Sequence, residues 1–270
     1  MGSSVSNPTL NSPSLRDGLS VVVITLNEEN NLPSLLKDIP KGAQLIVVDS
    51  GSTDKTVEIA ESFGATIKSR SFDNYAAQKN YAISLAKTNW VLCLDADERP
   101  NQELWQSVLG AVFENSPEAR AYDLSRQLVF LGRNMKYGRT KDQLTRLFRP
   151  TFAAYTNEIH ETLQVQNEDP IQALPGILWH YSYDNLDDYF ARFNRYTTLM
   201  AAARRKRGIH SPHPLILALR LPADFLVRYV VKLGFLDGWQ GFLWALFGSF
   251  YGFVKYAKLV ELERQGPSNK

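Results

Sequence analysis

The sequence predicts an α/β fold in which a mainly parallel sheet is flanked by helices. Strand-like and helix-like segments alternate from about residue 19 to about residue 115. The strand segments are apolar runs, which is typical of strands buried on both faces. Such alternation implies right-handed crossovers between parallel strands, with helices on both sides of the sheet. At 270 residues and 44% hydrophobic content, the chain is large enough to bury a core of this kind.

The elements follow one another in a regular order. The strand segments are "LSVVVITL", "AQLIVVDS", "ATIKSR" and "VLCLDADE". The helical segments are "ENNLPSLLKDI", "STDKTVEIAESFG", "NYAAQKNYAISLAKT" and "NQELWQSVLGAVFE". The second helix is expected to begin near its Ser/Thr residues and to end at Gly64. The single cysteine, Cys93, lies in the fourth strand, which predicts a core residue and excludes an intramolecular disulfide.

Three of the strands run into short polar segments, "TLNEEN", "DSGSTD" and "DADERP". Ligands of parallel α/β sheets bind beyond the carboxyl ends of the strands, so these segments predict the functional edge. The glycine-rich turn of a dinucleotide-binding protein is missing, because Asn27, Glu28 and Glu29 follow the first strand. A phosphate at this edge is therefore not expected to be held mainly by bare backbone.

Two carboxylates, Asp95 and Asp97, close the fourth strand. If the extended backbone continued, both side chains would point to the same side of the sheet. Carboxylate pairs are suitable ligands for Mg²⁺ or Mn²⁺, and such an ion would join the acidic edge to an anionic ligand. Alternatively, Asp95 or Asp97 caps the following helix, with Pro100 near its first turn.

The segments "VVVITLNEENNL", "LIVVDSGSTDKT", "AAQKNYAI" and "VLCLDADE" occur in an order and spacing that resemble the nucleotide-sugar-binding half of family 2 glycosyltransferases, which have the GT-A fold. This resemblance covers about residues 19–115. The later segments "TRLFRP", "IHETL", "WHYSY", "RFNRYTTLMAAARR" and "KLGFLDGWQGFLWAL" look like the subgroup that contains lipopolysaccharide-core β-glucosyltransferases.

The resemblance implies a role for five residues in donor binding. Thr25, Asn27 and Glu28 would line the nucleotide pocket, and Asp49 would contact the uracil or ribose. Lys79 would approach the diphosphate or ribose. Structural alternatives stay open here, since Thr25 and Asp49 could form turns and Lys79 could be an ordinary solvated helix lysine.

The resemblance also implies the catalytic machinery. Asp95 would position the ribose and the metal, and Asp97 would be the principal ligand to Mn²⁺ or Mg²⁺. Glu161 in "IHE" would be the base that deprotonates the acceptor hydroxyl. His160 could touch the metal, the diphosphate or the acceptor, or be a hydrogen-bonded structural residue.

The roles of two arginines remain open. Arg146 and Arg149 in "TRLFRP" could bind donor phosphates or an anionic acceptor, or they could be salt-bridge partners on a surface strand. His180 is expected to be structural.

Charge is unevenly distributed along the chain. Residues 201–270 carry 11 Lys and Arg against 4 Asp and Glu, although the whole chain has a net charge of only +2. The basic residues are interleaved with long aliphatic and aromatic ones, which favours an anionic membrane surface and disfavours nucleic acid. In-plane membrane association is the favoured interpretation. The alternatives are a hydrophobic hairpin inserted into one leaflet and a buried helical subdomain or dimer interface.

We therefore expect a disordered leader (1–18), a nucleotide-sugar-binding half (19–115), an acceptor half (116–200), a membrane-associating helical region (201–260) and a tail (261–270). The predicted activity is inverting, metal-dependent transfer of a sugar, with UDP-glucose as leading donor, to a lipopolysaccharide-core or other lipid-linked acceptor. The expected location is the cytoplasmic side of the cell membrane. Alternatives are a polyprenyl-phosphate glycosyltransferase and a non-catalytic sugar-nucleotide-binding or scaffold protein.

Overall fold

The computed structural model describes residues 18–156, 162–166, 171–183 and 185–265. The chain divides into two compact units. The first, here called the sheet unit, extends to Arg126 and includes Gln143–Leu178. The second, the helical unit, consists of Gln127–Asp142 and of the chain from Trp179 onward. Residues 1–17 of the predicted leader lie outside the described residues, and the predicted domain boundaries stay predictions.

The sheet unit is built on four parallel strands in the order β3-β2-β1-β4. Their bounds are β1 Leu19–Thr25, β2 Gln44–Asp49, β3 Thr66–Ser69 and β4 Trp90–Asp95. After β4 the sheet continues with β8 (Lys141–Phe148), which pairs antiparallel to β4, and then β6 (Ala121–Phe130). The mixed, mostly parallel sheet confirms the predicted α/β class.

Helices cover both faces of this sheet, as the alternation predicted. They are α1 (Leu32–Leu36), α2 (Thr56–Ser62), α3 (Tyr75–Ser84) and α4 (Gln102–Glu114). Side chains alternate along β1, so that Val21 and Val23 join the core under α1, α2 and α4, whereas Val22 joins the core under α3. Cys93 is buried in the second of these cores, which confirms its predicted packing role.

Short strands complete the chain. They are β5 Glu98–Pro100, β7 Arg133–Asn134, β9 Ala153–Thr156, β10 Thr162–Val165, β11 Gln172–Ala173 and β12 Leu178–His180. Strands β9 and β10 form a separate antiparallel pair with Thr156 opposite Thr162. A 3₁₀ turn, Pro150–Phe152, leads into β9.

The helical unit contains three long helices, α5 (Leu186–Lys206), α6 (Pro214–Leu226) and α7 (Gly238–Arg264). A π-helical turn, Val227–Val231, and a 3₁₀ turn, Gly234–Asp237, connect α6 to α7. Aromatic rings fill the core between α5 and α7. Among them, the Tyr189 ring centroid lies 5.9 Å from that of Phe130 and 5.2 Å from that of Phe247. Across the described ranges, none of the helices combines the length and the apolar character needed to cross a membrane.

Candidate active site

The ends of β1, β2 and β4 meet at one edge of the sheet. In the parallel register Thr25 lies beside Asp49, and Ile24 lies beside Asp95. The predicted site residues that follow these strands are therefore brought to the same edge, where ligands of parallel sheets bind. All the described site residues discussed below belong to the sheet unit.

Asp49 organises the loop after β2. Its carboxylate accepts hydrogen bonds from the hydroxyl of Thr25 at 3.1 Å and from the backbone N–H groups of Gly51 and Ser52, both at 2.9 Å. The Ser52 hydroxyl donates a further bond at 2.5 Å. Asp49 is 3% exposed. The turn-forming alternative is thus what the structure shows for Asp49 and Thr25, and their contact with a nucleotide stays a prediction.

The loop after β1 is tied to the loop after β2. Asn27 has φ 57°, a left-handed conformation that asparagine tolerates better than most residues. Its side-chain oxygen accepts from the Thr53 backbone N–H at 2.8 Å, and its own N–H donates to the Ser52 hydroxyl at 2.8 Å. The Glu28 N–H donates to the hydroxyl of Thr56 at 2.7 Å. The predicted nucleotide-pocket residues are therefore fixed by a mutual hydrogen-bond framework.

Asp95 is held between two cations. Its Oδ1 lies 2.9 Å from Lys79 Nζ, and its Oδ2 accepts from an Arg146 guanidinium nitrogen at 2.7 Å. Lys79 is 1% exposed, so the alternative of a solvated helix lysine is wrong. Arg146 is also buried, in contrast to the alternative of an arginine on a surface strand. The structure thus brings together Lys79, Asp95 and Arg146, which the sequence analysis had proposed as separate candidate site residues.

Glu98 completes this network and was missed in the sequence. Its side chain is fully buried, and Oε1 accepts from Arg146 at 2.9 Å and from Arg126 at 3.1 Å. Its other oxygen accepts the backbone N–H of Asp95 at 3.1 Å. Glu98 thereby orients both the Arg146 guanidinium that contacts Asp95 and the backbone of Asp95 itself. An acidic residue one position after the D-x-D triplet was the available signal.

Tyr155 is a second residue that sequence reasoning missed. Lys79 Nζ lies 5.3 Å from the centre of its ring, and Arg146 is 3.4 Å from its hydroxyl. The side chain of Asn80, which follows Lys79 in α3, exchanges two 2.8 Å hydrogen bonds with the Tyr155 backbone. Strand β9 is thereby fixed beside α3 and the Asp95 network.

The network also shifts the ionisation of its members. Burial by itself would raise the pKa of Asp95, but Arg146 and Lys79 outweigh it and hold that pKa well below its usual range. Burial would lower the pKa of Lys79, yet the Asp95 carboxylate raises it above that of a free lysine. Burial raises the pKa of the Tyr155 hydroxyl. Asp95 and Lys79 accordingly remain ionised at neutral pH, and the Tyr155 hydroxyl keeps its proton.

Asp97 occupies the tight turn between β4 and β5, so the extended backbone does not continue past Asp95. The cap of α4 is Asn101, whose side-chain oxygen accepts from the Leu104 N–H at 2.9 Å. Pro100 lies in β5 and not in the first turn of the helix. The alternative in which Asp95 or Asp97 caps this helix is therefore wrong.

Arg149 lies away from this edge. Its guanidinium stacks over the Trp90 ring at 4.5 Å and donates to the carbonyl oxygens of Ala119 and Ser116 and to the Asn115 side chain. Trp90 begins β4 and Asp95 ends it, a separation of about 16 Å along an extended strand. Arg149 thus anchors the segment that follows α4, and the geometry does not support its predicted contact with donor phosphates.

The predicted base Glu161 and its neighbour His160 lie outside the described residues, so their roles stay predictions. His180 ends β12, and its ring nitrogens lie within 2.9 Å of the Ser182 hydroxyl. This contact agrees with the structural role expected for His180.

The predicted metal ligands at this edge are Asp95 and Asp97, and the assignment to Asp97 stays a prediction. Both Asp95 oxygens already contact cations. Among the described residues, no group of three or more His, Cys, Asp and Glu side chains could hold a metal ion. Mg²⁺ in nucleotide-dependent enzymes is often bound by one or two carboxylates together with substrate phosphates, so a preformed cluster is not required. The assignment of Asp95 as a metal ligand also stays a prediction. It would require the metal ion to displace Lys79 or Arg146 from one Asp95 oxygen.

The family model described as "Glycosyl transferase family 2" matches residues 20–163, which is more than half of the chain and contains the whole Asp95 network. The chain belongs to glycosyl transferase family 2. The family match confirms the predicted enzyme class of this family 2 glycosyltransferase and the resemblance from which the candidate site residues were chosen. Together with the mostly parallel sheet, it also confirms the predicted GT-A fold.

Relatives extend the likeness over nearly the whole chain. An "Uncharacterized glycosyltransferase" of Rickettsia bellii is 31% identical over 92% of this chain and 87% of its own length. The "Lipopolysaccharide core biosynthesis glycosyltransferase LpsC" of Rhizobium meliloti is 29% identical over 90% of this chain and 92% of its own length. The likeness therefore includes both units of the family 2 glycosyltransferase.

Solved structures resemble this glycosyltransferase more distantly. The S. aureus TarS 1-349 complex with UDP-GlcNAc aligns over 93% of both chains, with 15% identity and a TM-score of 0.46. Glucosyl-3-phosphoglycerate synthase from Mycobacterium tuberculosis, in complex with Mg²⁺ and UDP, covers 43% of this chain and 44% of its own, with 23% identity and a TM-score of 0.34.

Proposed function

We propose that this enzyme transfers a sugar, with inversion, from a UDP-sugar to a lipopolysaccharide-core or other lipid-linked acceptor. UDP-glucose is the leading donor. The observation that carries the proposal is the convergence of Asp49, Asp95 and the Lys79–Arg146 pair at the carboxyl edge of a family 2 domain. The relative from Rhizobium meliloti named for lipopolysaccharide core biosynthesis, alike over 90% of this chain, supports the acceptor class.

In this proposal the framework formed by Thr25, Asn27, Glu28 and Asp49 receives the nucleoside. The hydrogen bonds between the β1 and β2 loops preorganise these groups, which reduces the ordering cost of binding. Asp95 is held in one orientation by Lys79 and Arg146, and it offers its partly exposed carboxylate, 29% accessible, to the ribose.

Asp97 would hold the divalent cation, Mn²⁺ or Mg²⁺, together with the donor diphosphate. When bound, such a cation stabilises the negative charge that builds on the departing diphosphate. Asp97 lies in the turn between β4 and β5, two residues after the fixed Asp95, and this proximity in the chain supports the division of roles.

Glu161 would accept the proton of the acceptor hydroxyl as that oxygen attacks the sugar. In the sequence it precedes β10, whose first residue, Thr162, pairs with Thr156 at the end of β9. Strand β9 carries Tyr155, the residue that contacts both Lys79 and Arg146. The described neighbours of Glu161 in the chain are thus linked to the Asp95 network, which supports its candidacy.

A lipid-linked acceptor places the reaction at the cytoplasmic face of the membrane, where the nucleotide sugar arrives from solution. The excess of basic residues in the chain after residue 200 supports an anionic membrane surface as a partner. Peripheral association, without a membrane-spanning helix, is the form of membrane contact that we propose.

Calorimetric titration of the purified protein with UDP-glucose, UDP-galactose, UDP-N-acetylglucosamine and GDP-mannose, with Mn²⁺ and with chelator, tests the proposal. We expect one UDP-sugar to bind only with metal, and Asp97→Asn to lose that binding. The matched control, Asp38→Asn, removes an exposed carboxylate of the same unit and should bind as wild type. If no nucleotide sugar bound in the presence of metal, the proposed donor site would be wrong.

Transfer to lipopolysaccharide-core acceptors, followed by mass spectrometry of the product, tests the second half of the proposal. Glu161→Gln should keep donor binding and lose transfer. Wild-type transfer by Glu161→Gln would exclude it as the base. A product formed on polyprenyl phosphate instead of a core oligosaccharide would replace the proposed acceptor with the lipid phosphate alternative.

A further inference from the structure

The outward face of α6 is apolar. Four large aliphatic side chains of this helix are more than half exposed: Leu215 62%, Ile216 57%, Leu219 62% and Leu226 54%. At about 100° per residue these positions share one face, which also holds the exposed Pro222 and Ala223. The helix of a soluble domain ordinarily turns polar residues outward, so this face is the reverse of the common pattern.

The opposite face of α6 is already packed. Leu217 is 6% exposed and belongs to a core cluster with Tyr256 and Leu259 of α7. The Phe225 ring lies 5.8 Å from the ring of Phe242, also in α7. Because the inward side is satisfied by α7, the exposed leucines are not needed for the core of the helical unit.

The exposed apolar side chains continue through the turns that follow α6 and into the first turn of α7. They are Val230 50%, Val231 66%, Leu233 42%, Phe235 44%, Leu236 46% and Trp239 66%. Single exposed hydrophobic residues are normal, but this density over residues 215–239 is typical of a surface that another phase or molecule covers. We call the exposed apolar side chains of residues 215–239 the docking face.

The charges in and beside the docking face favour an anionic partner. The acidic residues between 204 and 239 are Asp224 and Asp237, and both have partners within the protein. Asp224 accepts a hydrogen bond from Arg228 at 2.8 Å. Asp237 is 1% exposed and accepts hydrogen bonds from the backbone N–H groups of Lys136 and Tyr137. The exposed charged side chains of this stretch are all basic: Lys206, Arg207, Arg220 and Lys232. A surface that is apolar and cationic complements the headgroups and the acyl boundary of an anionic bilayer.

We propose that the docking face lies in the interface of an anionic phospholipid bilayer, with α6 parallel to the membrane plane. Helix α6 has 13 residues and is about 20 Å long, which is too short to cross the roughly 30 Å hydrocarbon core. Trp239 suits the headgroup level, where indole rings concentrate. This inference deepens the proposed function and rests on it for the lipid-linked acceptor, but the docking face is defined by its own exposure and charge.

Co-flotation of the full chain with vesicles of phosphatidylethanolamine and phosphatidylglycerol tests this proposal. Leu219→Glu places a carboxylate at the centre of the apolar face without entering the core, and it should lower vesicle partitioning by at least about tenfold. The matched control is Phe113→Glu, since Phe113 is an exposed apolar residue of α4, 41% accessible, in the sheet unit. It should partition as wild type.

The charge contribution has its own arm. A double variant, Lys206→Glu with Arg207→Glu, should lose partitioning to the anionic vesicles, and the wild type should bind vesicles of phosphatidylcholine alone far more weakly. Equal binding to neutral and anionic vesicles would overturn the charge complementarity on which the choice of partner rests.

Three other results would overturn the docking face itself. These are a wild-type protein that does not float with anionic vesicles, a Leu219→Glu variant that floats as well as wild type, and a wild-type dimer that Leu219→Glu converts to monomer in light scattering. The last would make a second copy the occupant. UDP-sugar calorimetry on the same preparations separates the two proposals, because failure of the docking face leaves donor binding by wild type and Leu219→Glu intact.

Discussion

Arg146 joins Asp95 to Glu98, with its terminal nitrogen 2.7 Å from one carboxylate and 2.9 Å from the other. Glu98 is fully buried and Arg146 nearly so. The charge of Arg146 is therefore balanced by protein carboxylates, and water screens it little. Removing either carboxylate leaves a buried cation with fewer partners. The relationship therefore determines both how the Asp95 edge is held and how its stability responds to mutation.

Glu98→Gln should destabilise the protein, because two guanidinium groups, Arg126 and Arg146, would face a neutral amide in a buried position. Breaking a buried ion pair by removing one partner typically costs about 3 kcal/mol or more. Urea unfolding followed by circular dichroism measures the change in the free energy of unfolding. Glu103→Gln, which removes an exposed carboxylate from α4, should stay within about 0.5 kcal/mol of wild type. Equal stability of the two variants would contradict the structural role of Glu98.

The stabilising contribution of Asp95 should depend on pH. Its pKa in the folded protein lies well below the value of about 3.9 for an unfolded aspartate, so its contribution is present above that value and declines as the pH falls further. The difference in unfolding free energy between wild type and Asp95→Asn should therefore be constant near neutral pH and shrink below about pH 4. A difference that grew on acidification would show that the carboxylate is not stabilised by Lys79 and Arg146.

Arg146→Met and Arg149→Met form a matched pair for separating site from scaffold. Arg146→Met removes a cation from Asp95 and should weaken both stability and UDP-sugar binding. Arg149→Met loses hydrogen bonds and the stack on Trp90, about 1–2 kcal/mol of stability, and should leave the donor dissociation constant within about twofold. Calorimetry and urea unfolding on both variants check this. Loss of donor binding in Arg149→Met would restore its predicted phosphate role.

Cys93 should be chemically silent in the folded protein. The thiol is 1% exposed in the core under α3, and burial raises its pKa, so little reactive thiolate is available. Ellman's reagent at pH 8 should label less than about a tenth of the protein in buffer and all of it in urea. Rapid labelling of native protein would show that this face of the sheet opens readily.

Two glycines of α7 should respond in opposite ways to alanine. A Cβ at Gly241 would collide with the carbonyl oxygen of Gly234 in the preceding 3₁₀ turn, whereas nothing lies within 4 Å of a Cβ at Gly252. Gly241→Ala should lose more than about 2 kcal/mol. Gly252→Ala should gain roughly 0.5–1 kcal/mol, because alanine is the better helix former. Thermal unfolding of the two variants measures the contrast.

The sequence by itself determined the α/β class and the strands and helices of residues 19–115, and it predicted the edge at which the candidate site lies. These features are local: apolar runs define β1, β2 and β4, and the polar segment after each strand needs only the rule for parallel sheets. The order of those segments was also sufficient to recognise glycosyl transferase family 2.

Only the tertiary structure decided which charged side chains contact one another. Arg146 and Arg149 are three positions apart and look equivalent in "TRLFRP". The antiparallel register places Leu147 beside Leu92. In that register Arg146 contacts Asp95, whereas Arg149 contacts Trp90. The contact between Glu98 and Arg146 depends on the same long-range pairing. No local period encodes that pairing, because it joins segments about fifty residues apart.

The docking face shows the same division between sequence and structure. The sequence showed that the region after residue 200 is basic and apolar, and left an in-plane helix, an inserted hairpin and a buried subdomain open. The packing of Leu217 and Phe225 against α7 decided which apolar side chains are internal. Helix α6 is apolar on both sides, so its own sequence could not say which side would face outward. That choice is made by the partner helix, which covers only one of them.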